Sequence, residues 1–289
     1  MRKKPKVIFI LGPTGVGKSE FAARLAKKIK GEIISCDSMQ IYKGMEILSQ
    51  YPSEKLRKKI PHYLVGILSP SREWSAADFA REAEKIADNI IKRGKAPVIA
   101  GGTGLYARAF ADGLSPSSPK DEKLRKRLYK EAKNIGSAKL YAKLKKIDPV
   151  YASKIHPNDT RRIVRAFEVY KLTGRPLSAH HKDTKGLNDK YLISTFILNR
   201  DREELYARIN ERVEEMFRRG VIDEVKKLRR LKLSKTAKAV LGFREIMSYI
   251  KGDLSLEEAK ELIKMNTRRY AKRQLTWFRR EKDAAWKKL

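Results

Sequence analysis

Short apolar runs alternate with amphipathic segments through the first third of the chain. Residues 7–11, 32–36 and 97–100 are apolar and rich in β-branched side chains, and each predicts a buried strand. Apolar residues at helical spacing follow the first run, and a second such helix is predicted to begin with a capping box at Ser75 and to end at Gly94. This alternation of strand and helix is typical of a parallel α/β sheet.

A different pattern begins near residue 117. Between residues 117 and 189 no strand is predicted, and apolar spacing suggests three helices, over 120–133, 137–147 and 158–172. Residues 191–198 then predict another core strand. Residues 201–250 are predicted to be helical, and 256–289 mostly one long basic helix.

A glycine-rich motif follows the first predicted strand. Its residues, which match G-x-x-x-x-G-K-[ST] at each defined position, are Gly12, Pro13, Thr14, Gly15, Val16, Gly17, Lys18 and Ser19. Between a strand and a helix, this sequence forms a phosphate loop whose backbone N–H groups point inward at a helix N-terminus. Lys18 can then reach a terminal phosphate and the Ser19 hydroxyl can ligate Mg²⁺, so a di- or triphosphate is expected to bind.

These features predict an α/β fold: a P-loop NTPase-like core with a parallel sheet flanked by helices, plus an inserted all-helical domain and a helical C-terminal region. The predicted core comprises residues 1–116 and 190–289, and the predicted insertion comprises residues 117–189. A Ser- and Pro-rich segment at 115–119 marks the first boundary.

Two polar turns are expected at the same edge of the sheet as the phosphate loop, because functional groups gather at the carboxyl ends of parallel strands. Asp37 follows the second predicted strand, where it can be a Mg²⁺ ligand, a general base or the cap of a turn. Gly101-Gly102-Thr103-Gly104 follows the third. That strand lacks the terminal Asp of phosphate-loop ATPases. Either Asp37 is therefore the metal-side acid of a kinase, or the loop holds a pyrophosphate without hydrolysis of a nucleoside triphosphate.

Arg208 and Arg212 are spaced i, i+4, so they share one face of the helix predicted after the last core strand. Such a pair can close over a pyrophosphate as lid arginines. It can equally form a solvated face beside Glu204 and Glu211.

The charge is strongly positive, with 67 Lys and Arg against 34 Asp and Glu and a formal net charge of +33. Residues 119–182 alone hold 18 basic against 6 acidic residues. Such a field attracts polyanions, with nucleic acid the first candidate and an anionic membrane surface the second. A Lys-rich thermophile composition, with three glutamines in the chain, is the alternative explanation.

The cysteine count and the hydropathy limit the kinds of site and the cellular location that the sequence predicts. The single cysteine, Cys36, excludes an internal disulfide and a cysteine zinc site. No apolar run approaches the length of a membrane span, and the N-terminal apolar run is too short for a signal peptide, so a cytoplasmic location is expected.

The motifs together resemble the tRNA dimethylallyltransferases, also called tRNA isopentenyltransferases. The matching segments, in family order, are GPTGVGKS, DSMQIYKGM, IPHYLVGILSP, GGTGLY, DTRRIVRAFEVY with TGRP, GFREI and KRQLTWFRR. The resemblance implies transfer of a dimethylallyl group from its diphosphate to N6 of the adenosine adjacent to the tRNA anticodon. It also implies a helical insertion that grips the anticodon stem-loop.

By this resemblance Gly12 to Ser19 bind the donor pyrophosphate with Mg²⁺. From the residues themselves, Arg208 or Arg212 is a further candidate to stabilise that anion. Asp37 is the general base, and Thr103 bonds near the reacting amine. The residues implied to contact tRNA are Asp37, Ser38, Met39, Gln40, Thr103, Arg125, Arg161, Arg162, Ile163, Val164, Arg165, Val240, Leu241, Gly242, Phe243, Arg244, Glu245, Lys272, Arg273, Gln274, Leu275, Thr276, Trp277, Phe278 and Arg279. Arg161 replaces a family glutamine, which keeps a phosphate contact plausible at that position.

The expected partners are therefore the tRNA anticodon stem-loop and dimethylallyl diphosphate, with Mg²⁺ as cofactor, no membrane partner, and a monomeric chain. A phosphate-loop small-molecule kinase with Asp37 as metal-side acid is the main alternative. A non-catalytic RNA-binding ATPase switch is the third. The kinase alternative explains the core but gives the basic insertion and the basic C-terminal tail no role.

Overall fold

The structure, a computed structural model, describes residues 4–114, 121–182, 184 and 186–289. The chain divides into two compact units, Met1–Ala111 with Leu187–Leu289, and Asp112–Gly186. The sequence predicted the edges of the insertion at residues 117 and 189. The Ser- and Pro-rich boundary segment 115–119 lies outside the described residues.

The first unit is built on a six-stranded sheet whose paired neighbours are all parallel, in the order β3-β2-β4-β1-β5-β6. The strands are β1 (Lys6–Leu11), β2 (Gly31–Ser35), β3 (His62–Tyr63), β4 (Ala96–Gly101), β5 (Leu192–Asn199) and β6 (Ala285–Lys288). The central strand β1 is buried from its second residue to its last, as expected of a parallel strand covered on both faces. The predicted fold class is confirmed.

The helices follow in chain order. The first unit contains α1 (Lys18–Lys28), α2 (Glu54–Lys59), α3 (Ala76–Lys92) and α4 (Gly104–Ala111). The second contains α5 (Glu122–Ile135), α6 (Ser137–Ile147), α7 (Pro149–Ala152), α8 (Thr160–Thr173) and α9 (Leu177–Lys182). The first unit resumes with α10 (Arg202–Arg218), α11 (Val221–Leu228), α12 (Phe243–Lys251) and α13 (Leu256–Phe278). Short 3₁₀ helices lie at Leu187–Asp189 and Ala237–Ala239.

Several predicted boundaries change for identifiable reasons. Gly31 was expected to end the first helix, but α1 ends at Lys28, Lys30 takes a positive φ of 52° and Gly31 begins β2. His180 and His181, expected in a loop, lie on α9. The predicted long helix to residue 289 ends at Phe278, and β6 follows it. All four residues of β6 are exposed, so its sequence carries no apolar pattern that would identify a strand.

Each unit has its own hydrophobic core. One face of the sheet buries Phe9 and Ile99 against Phe110, and the other buries Ile10 against the alanines of α1. The helical unit buries Leu128, Leu140, Ile163 and Phe167 among others. Full burial of such a side chain contributes about 1.5–3 kcal/mol to folding. Among the helices that the structure describes, none is both long and apolar enough to cross a membrane.

The register of the sheet aligns the three functional turns. Leu11 pairs with Gly101 on one side and Ile197 on the other, and Ser35 pairs with Ala100. The phosphate loop, the turn at Asp37 and the glycine-rich turn at Thr103 therefore leave the sheet at one edge.

Candidate active site

The phosphate loop curls between β1 and α1 as its sequence predicts. Gly15 and Gly17 have φ values of 82° and 99°, which L side chains rarely adopt, and Gly17 is the N-cap of α1. The Lys18 ammonium donates to the Pro13 carbonyl oxygen at 2.8 Å. The loop therefore places a cation and a helix N-terminus around one concave backbone.

Three arginines hold three consecutive loop residues. Arg212 Nη1 donates to Thr14 Oγ1 at 3.1 Å, and Arg208 Nε donates to the Gly15 carbonyl oxygen at 3.0 Å. Arg200, which follows β5, donates from Nε to the Val16 carbonyl oxygen at 3.0 Å.

Of the two alternatives for Arg208 and Arg212, the structure places both against the loop, while Glu204 pairs with Arg200. Sequence reasoning missed Arg200. Its position at the end of a core strand was the available signal.

Burial weakens the protonated forms of two of these cations. It lowers the pKa of Lys18 to about 8, with Arg212 lowering it further and the Asp37 carboxylate opposing the change. Burial likewise lowers the pKa of Arg212 to about 10. A bound anion would restore the interactions that these groups lost with water, so the site suits a diphosphate or triphosphate.

The turns that carry Asp37 and Thr103 are joined to each other. Asp37 Oδ1 accepts from the Met39 amide at 2.9 Å, and Thr103 Oγ1 accepts from the Ser38 amide at 3.1 Å. The Thr103 amide donates to the Cys36 carbonyl oxygen at 3.2 Å. Asp37 Oδ2 has no hydrogen-bond partner among the described residues. One oxygen therefore caps a turn, as the simplest interpretation predicts, and the other is available to a ligand.

A glutamine network connects this turn to the arginines. Ser35 donates to Gln40 Oε1 at 2.9 Å, and Gln40 Nε2 donates to the Gln50 carbonyl oxygen at 2.9 Å. Arg212 Nε in turn donates to Gln50 Oε1. Arg212 therefore contacts both the phosphate loop and the segment behind Asp37.

Helix α13 lies against the glycine-rich turn and explains two of its glycines. A Cβ on Gly102 would lie 2.2 Å from Gln274 Nε2, and one on Gly104 would lie 2.1 Å from Trp277 Nε1. Both distances are far below van der Waals contact, so Gly at these positions lets the side chains of α13 approach the backbone. The turn is therefore shaped by packing as well as by its own sequence.

The stretch from Lys272 to Arg279 divides between surface and interior. Lys272, Arg273, Thr276 and Arg279 are exposed. Four other predicted tRNA contacts do not present exposed side chains: Gln274 and Phe278 are buried and Leu275 and Trp277 partly so, because they form the packed face of α13.

The predicted contact at Val240 to Glu245 also needs correction. Val240 is 5% exposed and belongs to the core, and Gly242 is buried. Leu241, Phe243 and Glu245 are partly buried, and Arg244 is exposed. Arg244 is therefore the exposed basic group of this stretch.

In the helical unit, the predicted tRNA-contacting run lies at the start of α8. Ile163 and Val164 are buried in the core of this unit, so their side chains cannot contact tRNA as the resemblance implied. Arg161 and Arg162 are exposed. Arg125 and Arg165 donate to Glu168 Oε2 at 2.7 and 2.6 Å, and Glu168 is fully buried. A buried carboxylate therefore holds both arginines.

Comparisons with known proteins give a consistent result. The family model described as IPP transferase matches residues 40–281, and that described as isopentenyl transferase matches residues 5–66. A tRNA dimethylallyltransferase of Halothermothrix orenii is 49% identical over 97% of this chain and 86% of its own. One of Geobacter sulfurreducens is 43% identical over 98% of this chain and 92% of its own.

Solved structures agree. The full-length tRNA isopentenylpyrophosphate transferase of Bacillus halodurans is 39% identical, with a TM-score of 0.70 over 99% of this chain and 90% of its own. A eukaryotic dimethylallyltransferase acting on tRNA is 32% identical, with a TM-score of 0.82 over 98% of this chain and 74% of its own. The chain belongs to the tRNA dimethylallyltransferase family of enzymes.

Proposed function

We propose that this protein transfers a dimethylallyl group from dimethylallyl diphosphate to N6 of the adenosine adjacent to the tRNA anticodon. The products are N6-isopentenyladenosine and pyrophosphate. Family membership supports the reaction class. The observation that carries the assignment of roles is that Thr103 hydrogen-bonds to both neighbours of Asp37, Cys36 and Ser38, at the edge of the sheet that also carries the phosphate loop.

The phosphate loop is assigned to the donor diphosphate. Breaking the bond between the allylic carbon and the diphosphate oxygen leaves negative charge on the pyrophosphate. We assign the stabilisation of this leaving group to Lys18, Arg208, Arg212 and the loop amides, and the contacts of the three side chains with the loop support this assignment.

Magnesium fits the residues present. The described residues contain no cluster of three or more His, Cys, Asp or Glu that could hold a metal ion. Mg²⁺ is commonly bound by substrate phosphates, waters and one or two protein oxygens. Ser19, in the first turn of α1, offers a hydroxyl, and bound Mg²⁺ would neutralise charge on the diphosphate.

Asp37 is assigned as general base. The lone pair of the adenine N6 amine is conjugated with the ring, so N6 is a poor nucleophile. As the N6–carbon bond forms, Asp37 Oδ2 accepts a proton from N6, which contributes about 10²- to 10⁴-fold to the rate. Thr103, held against Ser38, orients the amine. The adenosine must leave the anticodon-loop stack to reach these groups.

The basic surface is assigned to tRNA. Each unit carries its own exposed cations: Arg161 and Arg162 in the helical unit, and Arg244, Lys272 and Arg273 in the sheet-bearing unit. Their phosphate contacts would supply salt-dependent affinity. We propose that the helical unit holds the anticodon stem-loop, and that the protein acts as a monomer in the cytoplasm.

The reaction is tested by incubating the protein with tRNA, Mg²⁺ and either labelled dimethylallyl diphosphate or γ-labelled ATP. We expect label from the allyl donor in tRNA. Label transferred from ATP, with none from the allyl donor, would instead establish a kinase.

The role of Asp37 is tested by single-turnover rates of Asp37→Asn with bound substrates. We expect a loss of at least about 100-fold. The matched control is Asp78→Asn, which removes a carboxylate from the capping box of α3. This control should lower the melting temperature and leave the rate unchanged. An Asp37→Asn variant that reacts at the wild-type rate would exclude the assignment.

A further inference from the structure

One side-chain amide bridges the phosphate loop and the glycine-rich turn. Gln274 Oε1 accepts from the Thr14 amide at 2.8 Å, and Gln274 Nε2 donates to the Gly102 carbonyl oxygen at 2.9 Å. The Gln274 residue is 6% exposed. Both functions of the amide are therefore used inside the protein, between segments that are 260 and 172 residues away in sequence.

Gln274 joins the loop assigned to the donor diphosphate to the turn assigned to the adenosine acceptor. Thr14 belongs to the phosphate loop, and its hydroxyl is held by Arg212. Gly102 immediately precedes Thr103, whose hydroxyl accepts from the Ser38 amide beside Asp37. A change in the position of the Gln274 amide would therefore change the separation between the donor loop and the acceptor turn.

We propose that Gln274 is a positioning residue, which holds the donor diphosphate loop at a fixed distance from the turn bearing Thr103 and Asp37. This inference rests on the proposed function. During transfer, the carbon–oxygen bond breaks on the loop side and the N6–carbon bond forms on the turn side. A misplacement of about 1 Å between reacting groups can cost about 100-fold in rate.

The chemistry of the amide suits this role. Gln274 donates and accepts at once, and it is neutral, so it adds no charge beside the diphosphate. A glutamate keeps the acceptor for Thr14 but replaces the donor with an oxygen that repels the Gly102 carbonyl. A methionine of similar length removes both bonds. The absence of a Cβ on Gly102 leaves the space that the amide occupies.

The experiment compares Gln274→Met and Gln274→Glu with the wild-type protein in steady-state and single-turnover assays. The assays use dimethylallyl diphosphate, Mg²⁺ and tRNA. We expect the single-turnover rate to fall at least about tenfold in both variants. The KM for the diphosphate should rise, more in Gln274→Glu because of its charge, and the KM for tRNA should stay within about twofold.

A matched control is Thr267→Val. It removes the Thr267 hydroxyl bond to the Ile263 carbonyl oxygen on the same helix, away from the two turns. It should lower the melting temperature without changing the rate or either KM. This separates loss of positioning from general loss of stability in α13.

Two outcomes would overturn the inference. The first is a lower melting temperature of both Gln274 variants with wild-type kinetics, which would leave the amide a purely structural role. The second is a rise in the KM for tRNA alone, which would place Gln274 on the tRNA side. A wild-type protein that transfers no dimethylallyl group would instead contradict the proposed function, and isothermal titration of the variants with inorganic pyrophosphate would still report the effect of Gln274 on the loop.

Discussion

Arg212 and Arg208 both contact the phosphate loop, but the structure predicts very different contributions to donor binding. Arg212 is partly buried, donates to Thr14 and Gln50, and has a pKa lowered to about 10 by burial. Arg208 is exposed and donates to the Gly15 carbonyl oxygen. Replacing each arginine by methionine removes the charge and keeps most of the stem.

The magnitude follows from the surroundings of each guanidinium. A hydrogen bond to a charged group is worth about 1.5–3 kcal/mol. We therefore expect Arg212→Met to raise the Kd for dimethylallyl diphosphate by about 10- to 150-fold. An exposed ion pair is worth about 0–1 kcal/mol, so Arg208→Met should raise the same Kd by no more than about fivefold.

The assay is isothermal titration of each variant with dimethylallyl diphosphate and Mg²⁺ at two salt concentrations. Screening at high salt should abolish the effect of Arg208→Met and leave most of the effect of Arg212→Met. An effect of Arg208→Met equal to or larger than that of Arg212→Met would refute the argument from burial. So would an Arg212→Met effect that disappears with salt.

The remaining predictions concern protonation, stability and packing. Because burial lowers the pKa of Lys18 to about 8, the loop loses positive charge as the pH rises through that value. The Kd for the donor should then rise, and proton uptake on binding should be measurable by calorimetric titration in different buffers. Glu168→Gln leaves two arginines around a buried, uncharged side chain, so urea unfolding should show a loss of about 3 kcal/mol. Gly104→Ala places a methyl group against Trp277 and should lower stability by about 1–3 kcal/mol, measured by thermal unfolding.

Each of these has a control. Lys18→Arg should bind the donor with an affinity independent of pH in this range, because arginine stays charged. Glu131→Gln removes a partly exposed partner of Lys143 and should change stability by less than about 0.5 kcal/mol. Adding Trp277→Phe to Gly104→Ala should recover stability. The first prediction is contradicted if the donor Kd of the wild type does not change with pH. The other two are contradicted if Glu168→Gln has the wild-type free energy of unfolding, or if Gly104→Ala has the wild-type melting temperature.

The parts of the site that are local in sequence could be predicted well. The phosphate loop is a run of consecutive residues, and its curled backbone follows from its glycines. The proximity of Asp37 to Thr103 followed from the rule that the carboxyl ends of strands in a parallel sheet lie at one edge. The structure bears out this proximity, while the catalytic roles of both residues stay predictions.

The parts that depend on long-range packing could not be predicted. Gln274 lies within KRQLTWFRR, where the surrounding cations and aromatics suggested a surface, yet the residue is buried, with 6% of its surface exposed. Ile163 and Val164 lie between arginines and still form the core of the helical unit, because the turn of a helix gives one short stretch both a buried and an exposed side. Motif membership alone therefore did not separate exposed contacts from packed supports.

The three glutamines of the chain all lie in the hydrogen-bond network of this site. Glutamine amides hydrolyse to carboxylates on prolonged heating. Glutamine hydrolysis in this chain would therefore always change a residue of this network. At Gln274, hydrolysis would exchange the donor to Gly102 for a negative oxygen beside the diphosphate loop. Hydrolysis at this one amide should therefore slow the transfer reaction while the fold survives, as Gln274→Glu is expected to do.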